Sequence, residues 1–292
     1  MFTQNTKRHA SFVTFVTVSC LIFHRALSAL TQYSLHDESS SHTVLIPAIA
    51  FFLLYLERGQ IFAETQTQAV WGIGIAMSGL LLYWSVNRAP SQQDGSWSFS
   101  LQIFSVLIVW VGGFLLCYGT SALRAAAFPF LFLLLMVPPP RAILDLAIYA
   151  LQVGSTELTY LIFQAVGTPV MRHGFLLSVP GVTIEVAKEC SSIRSSIALL
   201  ITCLLATHLY LRSVWRSVVF VFLGLIVSVI KNGIRIATLT LLSLHVDPGF
   251  LTGKLHHQGG FVFFLVALAI LFPVLLWLQK SERVSVITPV ET

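Results

Sequence analysis

The residues of this chain best suited to covalent chemistry are a cysteine, an arginine and a histidine, each set among polar neighbours beside an apolar run. Cys190 lies in Glu189-Cys190-Ser191-Ser192-Ile193-Arg194-Ser195-Ser196, where a strand-like segment runs into a hydrophobic helix. Ser191 and Ser192 are candidate caps, Arg194 follows about one turn on, and Lys188 stands just behind. A helix start and nearby cations both favour the thiolate, which is the nucleophilic form of a cysteine. In Lys231-Asn232-Gly233-Ile234-Arg235-Ile236, Asn232 and Arg235 are three apart and share a helix face. An anchor snorkelling to headgroups needs no asparagine, whereas a site gains a hydrogen-bonding group from one. In Leu255-His256-His257-Gln258-Gly259-Gly260, the histidine pair precedes an apolar run. Adjacent histidines point different ways on a helix and no third or fourth ligand stands nearby, so a metal site is the weakest reading and a general base the stronger one. Together these groups suggest acyl transfer by nucleophilic catalysis. Cys190 attacks a peptide carbonyl, His256 shuttles protons, and an arginine stabilises the oxyanion or orients the substrate. No cofactor and no metal are expected.

To bring such side chains together, the rest of the chain must hold them on one side of a membrane. With 56% hydrophobic and 10% charged residues and a mean hydropathy of +0.83, the chain is no water-soluble globule, whose charged share is about 25%. It reads as an all-α polytopic membrane protein, a single integral membrane domain over residues 1–292. The net charge of +5 is small, and the basic residues lie between apolar runs rather than in a block; they read as orientation signal and site chemistry, with no nucleic-acid footprint. Cys20, Cys117 and Cys203 lie within apolar runs, so Cys190 alone has polar surroundings and no disulfide framework is expected. Lys7 and Arg8 precede an apolar run that no small-residue cleavage pattern closes, which reads as a retained first span.

A helix crosses a bilayer with about 20 apolar residues. Runs at 11–30, 43–56, 69–86, 99–118, 122–137, 196–211, 214–230 and 261–278 predict about eight transmembrane helices. The Lys/Arg bias assigns Lys7, Arg8, Arg58, Arg124, Arg212, Arg216, Lys280 and Arg283 to the cytoplasmic face, and Cys190 then faces outward. Val179-Pro180-Gly181-Val182-Thr183-Ile184-Glu185-Val186 alternates about a Pro-Gly turn, which predicts a small β-hairpin on the outer face ahead of the cysteine. Residues 141–166 follow Pro138-Pro139-Pro140 and carry Asp145 and Gln152 on one helical face, with Glu157 and Gln164 on another. They read as a helix in or near the outer interface, broken at Gly154. Residues 233–245 extend the seventh span beyond one straight crossing, which asks for a helix emerging at the outer face or a re-entrant turn. His24, His173, His208 and His245 read as packing or interface residues, and 281–292 as a disordered cytoplasmic tail.

At its three polar motifs the chain resembles the exosortase/archaeosortase family. That family's pattern is a cysteine in an Ala-Cys-Ser-Gly-x-Arg-like motif, an Asn-x-x-Arg, and a His-x-x-x-Gly before the last span. The counterparts are Cys190-Ser191-Ser192-Ile193-Arg194, Asn232-Gly233-Ile234-Arg235 and His256-His257-Gln258-Gly259-Gly260. The likeness covers roughly residues 129–264, an exosortase-like catalytic core, while residues 1–128 match only in being hydrophobic. It implies a cysteine transpeptidase in a bacterial inner membrane with its active site on the periplasmic side. The implied partners are exported proteins ending in a short Pro-Glu-Pro-like signal, a transmembrane helix and a basic cluster, together with membrane lipid and an acceptor nucleophile. Cys190 takes the nucleophile's position, Arg235 that of the motif arginine and His256 that of the histidine; Arg194, Asn232, His257 and Ser191 support them. Ser192 stands where the family usually has Gly, and Glu189 where it has Ala.

Two other classes of function compete. In a transporter or channel, Arg235, Asn232 and His256 would line a pathway and Cys190 would be incidental. In a non-catalytic assembly factor for surface-polymer export, the polar cluster would be a docking site.

Overall fold

Eleven helices and three short strands make up the described part of the computed structural model, which covers residues 2–37, 40–89, 95–187, 193–251 and 260–287. They group into two compact units, Met1–Leu144 and Asp145–Thr292.

In the first unit, α1 (Phe2–Ile22) and α2 (His24–His36) are separated by a bend of 77°. Phe23 at the bend is fully buried and packs edge-on against Tyr83, so the core holds the break. After α3 (Leu45–Leu56) and the single turn α4 (Arg58–Ile61), α5 (Ala69–Arg88) and α6 (Ser96–Ala125) form a close antiparallel pair. A Cβ on Gly72, Gly79 or Gly112 would come within 2.8 Å of Leu116, Val109 and Ala76 respectively. Small residues at such a seam let two backbones approach, which is how helices associate where lipid removes the hydrophobic drive. α6 kinks at Gly119, whose φ is 88°. The Gln66 amide bonds to the Tyr118 carbonyl there at 3.1 Å, in space that a Cβ on Gly119 would fill. α7 (Ala127–Leu133) and a 3-10 turn, Leu134–Met136, complete the unit.

α8 (Arg141–Ala165) leads into the second unit and ends at a three-stranded antiparallel meander, β1 (Met171–His173), β2 (Leu176–Val179) and β3 (Val182–Glu185). Gly181, at φ 89°, makes the Pro180-Gly181 turn that pairs Val179 with Val182. Strands this short are marginal alone. Leu177 and Val179, buried on the same face of β2, pack with Phe163 of α8 and with Ile236 and Ala237 further along the chain. Beyond the sheet run α9 (Ile193–Tyr210), α10 (Val214–His245) and α11 (Gly260–Ile287). Their shared core includes Leu199, Cys203, Phe220, Val227, Ala267 and Leu271. A short link makes α9 and α10 antiparallel. The Glu282 carboxylate of α11 accepts the amides of Arg212 and Ser213 in that link, at 3.0 and 2.9 Å. The start of α9, the end of α10 and the start of α11 therefore share one end of this unit, which is the end that carries the sheet.

Among the described residues, six helices are long and apolar enough to cross a membrane, and up to seven if the bent α1–α2 pair is one span. The expected eight spans differ from this in four places. The first run is broken at Phe23. The runs at 43–56 and 122–137 become helices of 12 and 7 residues, the latter continued by the 3-10 turn, and 12 residues reach only about 18 Å. The segment expected to lie at the interface is instead an unbroken helix of 25 residues that meets the length and composition of a span. Its Gly154 is a packing contact rather than a break, because a Cβ there would sit 2.7 Å from Val229. Of the two forms open to residues 233–245, α10 takes the emerging helix, continuous over 32 residues or about 48 Å, well beyond a bilayer core of about 30 Å. The expected tail from 281 is helical to Ile287, with Ser281 and Glu282 held by Arg216.

Candidate active site

The sheet end of the second unit contains a polar seam where α8 and α9 pack on α10. On the α8 side, Asn232 donates its side-chain amide to the Ser155 hydroxyl at 2.8 Å, and neither residue is exposed. One turn on, the Thr159 hydroxyl bonds to the carbonyl of Ser155 at 2.7 Å and reaches that of Gly233 at 3.2 Å. A Cβ on Gly233 would lie 2.8 Å from Leu158, so glycine is what lets α8 approach closely enough for these bonds. On the α9 side, Lys231 donates its ammonium to the Ser195 hydroxyl, and the Ser228 and Ser196 hydroxyls bond at 2.7 Å. Lys231 is only 5% exposed.

Helix geometry places Arg235 between these contacts. At about 100° per residue, Arg235 projects about 40° from Lys231 and about 60° from Asn232 around α10. It therefore lies between Lys231 and Asn232 around the helix, and it is half-buried. Arg194 behaves differently. Ser195 and Ser196 turn toward α10, whereas Arg194, about 100° and about 200° away from them around α9, is exposed.

The sheet and α8 hold the chain that leads into this end. Gln152, buried, donates to the Val186 carbonyl at 2.8 Å, and Val186 is four residues before Cys190. Glu157 pairs with Arg172 of β1 at 2.6 Å. The Ser178 and Thr183 hydroxyls are 3.2 Å apart across β2 and β3. Strand β1, which sequence periodicity did not suggest at only three residues, converts the expected hairpin into a meander and takes His173 into the sheet.

Of the residues singled out by sequence, Arg194, Asn232 and Arg235 belong to the described part of the chain. Cys190 and Ser191, with Lys188, Glu189 and Ser192, fall in 188–192, outside the described residues; so do His256 and His257, in 252–259. The flanking residues, Ala187 and Ile193 for the first segment and Leu251 and Gly260 for the second, are described. Asn232 and Arg235 do share one region of α10, as their spacing requires. What the sequence reading missed is the α8 partner stripe Gln152, Ser155, Thr156 and Thr159, all buried. Its signal is the three- and four-residue spacing of small polar groups along one helix face. No cluster of three or more His, Cys, Asp or Glu suited to a metal occurs among the described residues. Cys203 sits in the apolar core at 2% exposure, its Sγ 2.6 Å from where a Cβ on Gly224 would lie.

A buried asparagine and lysine flanking an arginine on α10 form a constellation that can bind and stabilise an anion. A family model described as transmembrane exosortase matches residues 28–273, well over half of the chain and beyond the core that the motifs alone delimit. No curated protein and no solved structure matches it.

Proposed function

Since the chain belongs to the transmembrane exosortase family, we propose that it is a membrane-embedded cysteine protease and transpeptidase for carboxy-terminal sorting tails. It acts at the outer face of a bacterial inner membrane on exported proteins and passes their new carboxyl end to an acceptor nucleophile. The observation that carries this reading is the polar seam around α10. Ionisable and amide groups inside a membrane are costly and are retained for function, and here Asn232 and Lys231 are both anchored, to Ser155 and Ser195, on either side of Arg235. A transport pathway would turn these groups toward water; Asn232 and Ser155 are instead fully buried and satisfy each other, which favours the enzyme.

In this reading the Cys190 thiolate attacks the carbonyl carbon of the scissile peptide, and Arg235 donates to the oxyanion that forms. The peptide nitrogen leaves with a proton from His256, beside which His257 stands. The thioester left on Cys190 is opened by the acceptor, whose proton His256 takes up. Asn232 fixes the face of α10 from which Arg235 projects, while Ser191 and Arg194 serve the cysteine locally. The test is co-expression with an exported protein carrying a tail of Pro-Glu-Pro-like signal, apolar helix and basic cluster. Cys190→Ala and Cys190→Ser should accumulate uncut precursor while remaining in the membrane, and precursor cut as well by these variants as by the wild type would sink the reading.

A further inference from the structure

Lys231 is a charged side chain in the interior of the second unit to which the proposed reaction gives no task. It is 5% exposed, its ammonium donates to the Ser195 hydroxyl, and no carboxylate pairs with it among the described residues. Stability would select against this arrangement twice over. An ammonium taken out of water is strongly unfavourable, and Ser195 lies in the first turn of α9, where the helix dipole is already positive. Arg235, four residues on along α10, adds a like charge on the neighbouring face. Three sources of positive potential, one of them built in from inside the bundle, thus converge where α9 begins. Such a field stabilises an anion.

We propose that Lys231 is a positioning residue for the acyl transfer. Its charge, beside the Ser195 hydroxyl, raises the positive potential at the start of α9, where the thiolate and then the oxyanion of the proposed reaction form. The inference rests on the reading of Cys190 as the nucleophile. It assigns Lys231 a role through charge, distinct from a strut that merely joins α9 to α10, and the two make different demands on substitution.

The experiment is single-turnover processing of a model tail by the purified full chain in detergent, with kcat and KM separated. Lys231→Gln keeps a donor for Ser195 but no charge; it should lose about 10- to 100-fold in kcat with KM within about twofold. Lys231→Arg, which keeps the charge, should stay within about tenfold of the wild type, and Ser195→Ala, which leaves the ammonium in place, within about threefold. Lys231→Gln at the wild-type kcat, Lys231→Arg as impaired as Lys231→Gln, or Ser195→Ala as impaired as Lys231→Gln would each overturn the inference. The wild type and Cys190→Ala run in the same series. A wild type that leaves the tail uncut, or a Cys190→Ala chain that cuts it, removes the enzymatic reading itself, whereas a Cys190-dependent wild type with an indifferent Lys231 removes only this inference.

Discussion

Asn232 and Ser155, 77 residues apart in the chain, hydrogen-bond side chain to side chain at 2.8 Å with neither exposed. The bond fixes the rotation of α10 against α8. Because Arg235 lies less than one turn from Asn232 on the same helix, its direction follows from that rotation. The pair is thus a link between packing and the proposed chemistry.

Removing it should be measurable as stability. Interhelical hydrogen bonds inside membranes average about 0.6 kcal/mol and reach about 1.7, and a buried group left without its partner adds a desolvation cost of about 1–3 kcal/mol. Asn232→Ala should therefore destabilise the protein by about 1–2 kcal/mol in denaturant unfolding from detergent micelles. The double variant with Ser155→Ala should cost less than the sum of the two single changes. Strict additivity would show that the two side chains are not energetically coupled.

The two arginines should separate. Arg235 is half-buried and lies between Lys231 and Asn232 around α10, while Arg194 is exposed and turned away from the Ser195 and Ser196 contacts. Loss of one oxyanion donor costs about 100- to 1000-fold in rate, and lysine cannot copy the planar fork of arginine. Arg235→Lys should accordingly lose nearly as much activity as Arg235→Ala, with substrate still bound, and Arg194→Lys should be milder. An Arg194→Lys enzyme deader than Arg235→Lys would reverse the assignment.

Sidedness is open to labelling. In a chain whose Cys190 is replaced by Ser, a cysteine placed at the exposed Thr183 of β3 should react with a membrane-impermeant thiol reagent on intact spheroplasts. A cysteine at Ser213, in the link tied to Glu282, should not. Reaction at Ser213 alone would mean that the sheet end faces the cytoplasm.

Membrane insertion, the Pro180-Gly181 turn and the shared region of Asn232 and Arg235 could be read from hydropathy and spacing, because each depends on local sequence alone. The bend at Phe23 could not: it depends on a buried ring meeting Tyr83, and hydropathy passes smoothly through it. Residues 141–165 looked interfacial because Asp145, Gln152 and Glu157 lower their hydropathy. Gln152 and Glu157 have tertiary partners, the Val186 carbonyl and Arg172. Gly154 read as a breaker for want of its partner Val229. The same blindness hid Ser155 and Thr159, small hydroxyl residues that acquire meaning only once α10 lies against them.

The proposed acyl transfer turns on a covalent bond to one sulfur. Purified protein mixed with a model tail and quenched during a single turnover should carry the upstream peptide as a hydroxylamine-sensitive thioester, located by mass spectrometry on Cys190. The adduct should be absent from Cys190→Ala and unchanged in Cys203→Ala, since the Cys203 thiol is buried in the core against Gly224. A tail cut with no adduct on Cys190, or an adduct on another residue of a Cys190→Ala chain that still cuts, would contradict it.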